Sequence, residues 1–521
     1  MKRRGFVVAV LLASALVATP ALGQTTLDPN TRIKQLEQQV AELTKGAPTA
    51  VAPAPTSTAQ TQIDLERRIK ELEALVQQLL KDRDIPKQKL MNQAEQERTL
   101  EPASLITFYD NGYLIATSAD GAFKYWLDGR VNLDFATYRG AANRLPTGFE
   151  VRRGRLGLKS TLFTNWLAEV DIDFTDNLVE IKDMWMGYTG IKNMLIKVGN
   201  HKTPFGLDTL TSSKNITFME RAYIDAWAPD RLMGLNVSGW GSHWQASAGI
   251  YGEAAGVFND KDSLTGGGAG TSQRPSFIGR LTVAPLAAKG KVLHFGVAFA
   301  NRRPEVAKIA TSGADLPDRL NASRIVKFDS RAETHVSRAK FLSTGDMKYV
   351  DYWNQMGAEV AAVMGPVNIQ AEYQTTTVVR TPTAVASYVD HTFTGYYGQI
   401  SVFLTGERRP YSVSEGEFAR LIPTRRGGAV EVGVRYSVLD LDDETALDPI
   451  KGGAGKNITA GLTWYLNANH KILFNFVNVT NSANAKPNKE YAPLPVGTST
   501  TQSVVMGDDF RVFAIRYQIA F

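Results

Sequence analysis

Cysteine is absent from the 521-residue chain, which removes disulfide frameworks, thiolate metal sites and cysteine nucleophiles together. Histidine is scarce: there are six, and His201, His294 and His335 among them show no metal-ligand spacing. Past the first residues no stretch approaches the ~20 apolar residues that a membrane helix requires. No carboxylate pair or nucleophile triad stands out, so neither an enzyme nor a cofactor nor a metal is expected. The formal net charge of +6 is too weak for a nucleic-acid binder, whose basic residues should dominate a whole face.

What is present begins with Lys2, Arg3 and Arg4 before an apolar run, Gly5 to Ala18, and small residues at Ala21-Leu22-Gly23. That is a secretory signal over residues 1–23, and its removal lowers the net charge to +3. Residues 24–45 carry a first short coiled-coil seam (Ile33, Leu36, Val40, Leu43), residues 46–62 a Pro/Ala/Thr linker, and residues 63–100 a second seam (Leu65, Ile69, Leu72, Val76, Leu79) with its connector. Helices this short cannot bury their stripes alone, so self-association in the periplasm is expected.

From Phe123 onward the periodicity becomes two. Tyr125, Leu127, Val131, Leu133 and Phe135 share one face of a strand, while Lys124, Asp128, Arg130, Asn132 and Asp134 share the other. The pattern recurs to the end, where Phe513, Ile515, Tyr517, Ile519 and Phe521 face one way. A soluble sandwich would also alternate. Together with the signal, the missing cysteines and plentiful aromatics (Tyr 18, Phe 23, Trp 8), strands ending on a terminal aromatic favour a transmembrane antiparallel β-barrel of about 16 strands over residues 101–521. Its apolar face meets outer-membrane lipid, and its polar face lines a lumen.

Parity then selects lumen residues. In Phe149 to Ser160, Arg153, Arg155 and Lys159 point inward; Arg152 has the wrong parity unless a bulge re-aims it. A second basic region, Arg302 to Lys340, includes Arg331 and Arg338 and reads as a long extracellular loop, part of it folding inward. Arginine suits oxyanions because its planar fork matches their edge and its charge does not titrate away. Gly452 to Lys456 (GGAGK) has Ile450 where a phosphate loop needs its first glycine and Asn457 in place of Ser/Thr, so it reads as a turn.

The stretch GNHKTPFGLDTLTSSKNITFMER, Gly199 to Arg221, leaves a strand at Pro204 for a loop rich in hydroxyls and cations. It resembles the corresponding stretch of the phosphate-selective porin O and P family, as do VRRGRLGL (Val151 to Leu158), SRAETHVSRAKFLSTGD (Ser330 to Asp346) and TGYYGQISVFLTGERRPY (Thr394 to Tyr411). The resemblance implies a homotrimer of 16-stranded anion channels, each narrowed by an inward-folded loop. It implies that Arg152 and Arg153 match paired constriction arginines, Ser212 and Ser213 the constriction serines, Arg221 a further arginine and Arg130 a lumen arginine on the first strand. Lys214 belongs to the same loop. Two departures stand out: Thr209 is where phosphate-selective members carry a lysine, and Lys182 is where they carry an aspartate. The expectation is therefore an outer-membrane porin for passive diffusion of small anions such as phosphate-like oxyanions. The alternatives are a general-diffusion porin without phosphate specificity, a structural barrel tethering the envelope through its coiled coil, and an outer-membrane hydrolase.

Overall fold

The computed structural model describes residues 105–255, 271–272, 274–304, 306–307, 324–381, 388–444, 448–488 and 504–521. The expected signal, linker and both coiled-coil helices lie outside the described residues. A hairpin of β1 (Leu105–Asp110) and β2 (Tyr113–Ser118) comes first. Sixteen strands follow: β3 (Lys124–Arg139), β4 (Gly148–Leu162), β5 (Trp166–Asp173), β6 (Glu180–Tyr188), β7 (Met194–Lys202), β8 (Arg231–Trp240), β9 (Trp244–Tyr251), β10 (Ser276–Ala288), β11 (Lys291–Arg302), β12 (Val350–Met364), β13 (Val367–Arg380), β14 (His391–Phe403), β15 (Ala429–Asp443), β16 (Ile450–Tyr465), β17 (His470–Asn481) and β18 (Phe510–Ala520).

Each of these strands pairs antiparallel with its sequence neighbours, and β18 returns to β3 from Arg511↔Arg139 to Ala520↔Arg130, closing a barrel. Closure leaves no sheet edge for hydrocarbon to meet. At this seam the Gly129 and Phe521 backbones exchange hydrogen bonds of 2.7 and 3.1 Å. A Cβ on Gly129 would stand 2.4 Å from the Phe521 ring, so glycine is what lets the ring lie flat on the first strand.

The alternation read from the sequence has the sense a membrane requires. On β3, Asp128, Arg130, Asn132 and Asp134 are buried, whereas Leu127 and Leu133 are exposed. A soluble sandwich would show the reverse.

Most connections at the rim where β3 begins are short, as at 163–165, 289–290 and 365–366, which marks the periplasmic side. Residues 404–428 are the exception. Among the described residues, long connections enter the barrel at 203–230 through its middle, at 324–349 from the outer rim, and at 404–428 from the periplasmic rim. Phe328, Phe341 and Leu342 of the outer segment pack with Tyr223 and Trp227 of the central loop. Phe418 of the periplasmic segment packs with Leu207, Val292 and Ala361. These segments fill the lumen against β10–β18, and an open cavity remains along β3–β9.

One expectation is corrected. Gly452 to Lys456 is no turn but part of β16, where pairing jumps from Asp442↔Lys451 to Asp440↔Ala454 and Gly453 adopts φ 83°. Glycines here make a bulge inside a continuing strand rather than a reversal of the chain.

Candidate pore constriction

Two bulges aim cations into the lumen that strict alternation would point at lipid. Between β3 and β4 the register passes from Asn132↔Arg153 to Leu133↔Val151, leaving Arg152 as the extra residue. Both arginines consequently turn inward. Between β5 and β6, Asp171↔Asp183 is followed by Ile172↔Ile181, and Lys182 occupies the bulge. Its ammonium lies 2.6 Å from Glu180.

The central loop crosses from β7 to the far wall and is fastened there. Its single helical turn, Leu207–Leu210, presents the Leu207 and Asp208 amides to Glu372, at 2.9 and 2.7 Å. Tyr397 donates to the same carboxylate at 2.6 Å. The Ser437 hydroxyl accepts from Tyr223 N at 3.0 Å, and Thr463 donates to Thr217 O at 3.0 Å. Backbone groups with no secondary-structure partner are thus satisfied by strand side chains.

On the near side the loop delivers Glu220, which gathers three guanidinium groups. Arg152 binds it with two bonds of 3.0 Å, Arg153 approaches to 3.3 Å and Arg516 to 2.5 Å. Burial alone would raise the Glu220 carboxyl, but Arg152, Arg153 and Arg516 hold it well below the usual carboxylate range. Arg516 also grips Asp134 at 2.6 Å. Among the described residues Nη1 of Arg153 makes no hydrogen bond, nor does Nε of Arg130.

Around this knot, Arg130 donates to Ser213 Oγ at 2.5 Å and lies 3.7 Å from Asp171. Arg155 pairs with Asp173 at 2.7 Å, and Lys159 bridges Asp128 (2.9 Å) and Glu169 (3.2 Å). Lys214 joins the same Asp128. The Ser212 hydroxyl accepts from Lys214 N at 3.4 Å. Arg221 lines the cavity but spends its donors on the loop itself, reaching Asp208 O at 2.6 Å and Thr211 O at 2.7 Å. It therefore staples the helical turn.

The cavity measures about 730 Å³. Thirteen Lys and Arg side chains line it against nine Asp and Glu, a formal net of +4. Of the sequence-derived residues, Arg130, Arg152, Arg153, Arg155, Lys159, Lys182, Ser212, Ser213, Lys214 and Arg221 line it together. Arg331 and Arg338 do not. Arg331 lies in a short hairpin strand, Asp329–Arg331, of the outer segment, and Arg338 pairs with Asp176 on the neighbouring outer connection. Their basic region turns apolar residues inward and leaves these two cations outside the cavity.

Sequence reading missed several lining groups. Lys197 and Arg280 were accessible to the same parity argument that found Arg153, whereas Lys202 and Arg231, paired at the ends of β7 and β8, have the parity of the lipid-facing Val198 and Met233. Glu415, Glu417 and Arg420 were not, because they arrive on the periplasmic segment.

The family model for phosphate-selective porin O and P matches residues 126–511. Porin O of Pseudomonas aeruginosa is 27% identical over 402 residues, covering 72% of this chain and 86% of the relative. An uncharacterized protein of Caulobacter vibrioides is 29% identical over 361 residues, covering 67% of this chain and 66% of its own length. Among solved structures, the outer-membrane channel DcaP of Acinetobacter baumannii is 12% identical, covering 77% of this chain and 98% of that one, with a TM-score of 0.39. The trimer form of OmpT from Vibrio cholerae is 9% identical, covering 77% and 100% respectively, with a TM-score of 0.42.

Proposed function

The chain belongs to the phosphate-selective porin O and P family and is a bacterial outer-membrane porin, a channel rather than an enzyme, and from that premise we propose that it passes small anions in preference to cations. The observation that carries this reading is the cavity's net +4, with Arg152, Arg153 and Arg516 drawn around one carboxylate. Fixed guanidinium forks favour oxyanions, and the interleaved carboxylates keep each site weak enough to release its ion. Phosphate-like oxyanions fit this chemistry, but the lysine missing at Thr209 removes one cation from the loop. Thr209 instead donates to Asp225 at 2.9 Å.

Planar-bilayer reversal potentials in a KCl gradient test the proposal. The expected sign is anion-preferring, and cation preference would overturn it. Burial, aided by the neighbouring Glu415, pushes the Glu417 carboxyl up to about 7. A raised carboxyl takes up its proton as pH falls through that value, and the cavity then loses a negative charge. Anion preference should accordingly rise between pH 8 and pH 6, and Glu417→Gln should reduce the rise.

We also propose a homotrimer. The five adjacent strands β5–β9 have only 8 to 10 residues each. At ~3.3 Å per residue and a tilt of ~40°, eight residues rise about 20 Å, short of a ~25 Å apolar band. A low wall of this kind is best covered by neighbouring copies. Three chains per detergent-solubilised particle is the expected mass, and a monomer at all detergent concentrations would refute it.

A further inference from the structure

A porin lumen is polar by default, because water fills it. In this one the large apolar lumen residues Phe205, Phe218 and Phe418 are fully buried. Four on the barrel wall are not so covered. Leu167, Trp185, Leu195 and Trp240 line the open cavity, all on the periplasmic half of the low wall. The register places them together: Leu167 lies opposite Gly187, Glu169 opposite Trp185, Gly187 opposite Lys197, and Leu195 opposite Ser238. Trp240 follows two residues beyond Ser238 on the same face, opposite Gln245.

Gly187 explains how the group forms a shelf. A Cβ there would meet Leu195 Cδ1 at 2.9 Å and Trp185 Cζ3 at 3.1 Å, so the glycine lets both side chains lie down against the wall. Above the shelf stands Lys197, its ammonium 4.3 Å from the Trp185 ring centroid. Among the described residues it has no carboxylate within ion-pair distance, unlike Lys159 and Lys214. Asn236 is its neighbour on β8, opposite it in the register, and Ser238 and Gln245 add neutral polar groups nearby.

An unpaired cation over an aromatic and aliphatic shelf suits a ligand with two ends. Resting on the anion-channel reading above, we propose that this is a second subsite, on the periplasmic side of the arginine knot, for organic anions. Lys197 takes the charged head, and Trp185, Leu195, Leu167 and Trp240 take an aryl or compact apolar body. The solute class is thereby extended from inorganic oxyanions to organic phosphates and related aryl or alkyl anions. Inorganic phosphate has nothing to place on the shelf.

The test compares phenyl phosphate with inorganic phosphate as blockers of KCl current through the full-length protein in planar bilayers. Phenyl phosphate should half-block at a concentration about fivefold lower, the gain that one aromatic contact supplies. Trp185→Ala and, separately, Leu195→Ser should bring the two blockers within twofold of each other while leaving inorganic phosphate block unchanged. Trp185→Phe should keep the difference. Retained KCl conductance certifies that each variant is folded. Equal block by both anions in the unsubstituted channel overturns the proposal, as does a fivefold difference that survives both substitutions. Failure of the anion-channel reading is separately visible, because a cation-preferring reversal potential would appear before any blocker is added.

Discussion

Replacing Arg152 and Arg153 together by alanine should lower the anion-to-cation permeability ratio by about tenfold or more. The substitutions halve the cavity's formal net charge from +4 to +2. One unit charge 4 Å from a passing ion is worth ~1 kcal/mol in water and ~4 kcal/mol near a protein surface, so even the lower value changes ion occupancy about fivefold per charge. The effect is compounded because Glu220 keeps only Arg516, and Arg516 is already shared with Asp134. The negative charge left over then favours cations beside the central loop. Reversal potentials across a KCl gradient read the ratio directly. Arg338→Ala is the control: its guanidinium pairs with Asp176 away from the cavity, and its ratio should match the unsubstituted channel. A double variant that stays within twofold would show that the arginine pair does not set selectivity.

That experiment targets a pair whose geometry was only half legible in the sequence. Parity assigned Arg153, Arg155 and Lys159 to the lumen because a strand's two faces follow from spacing alone. It could not decide about Arg152, since a bulge is a mismatch between two strands and is visible only against the partner, here Asn132 and Leu133. Lys182 poses the same difficulty at Asp171 and Ile172. The closed barrel itself was legible from periodicity and from the final alternating strand. Glu220 was visible as a loop residue, but its partner Arg516 is 296 positions away, and no local pattern connects them.

The periplasmic segment 404–428 was the least legible. Gly406, Pro410 and Gly416 mark it as an ordinary polar connection, and its inward anchors are single residues. Tyr411 meets His294 at 2.6 Å, Phe418 packs under Leu207, and Arg409 reaches Glu431 at 3.0 Å. Single anchors have no period. Its length of 25 residues was the available signal, because a connection that long at the short-turn rim is rarely without a role.

Removing the far-wall anchor should alter the pore as strongly as removing the arginines, by a different route. Glu372→Ala would leave the Leu207 and Asp208 amides and the Tyr397 hydroxyl without their common acceptor in a buried site. An unsatisfied buried donor costs about 1–3 kcal/mol, so three of them exceed what one helical turn of four residues can hold in place. Leu207 would leave Val292, Ala361 and Phe418, and the central loop would lose its fixed position. The barrel wall has its own hydrogen-bond ladder and should survive. The expected result is therefore a folded channel with larger and noisier single-channel conductance and weaker anion preference, together with a lower melting temperature. Glu372→Gln separates anchoring from charge: its amide oxygen still accepts from one backbone amide but lacks the second carboxylate oxygen, so conductance should fall between the two. If Glu372→Ala conducts like the unsubstituted channel, the loop must be held mainly by its other ties, at Ser437, Thr463 and Arg516, and the carboxylate is not the residue that sets the width of the pore.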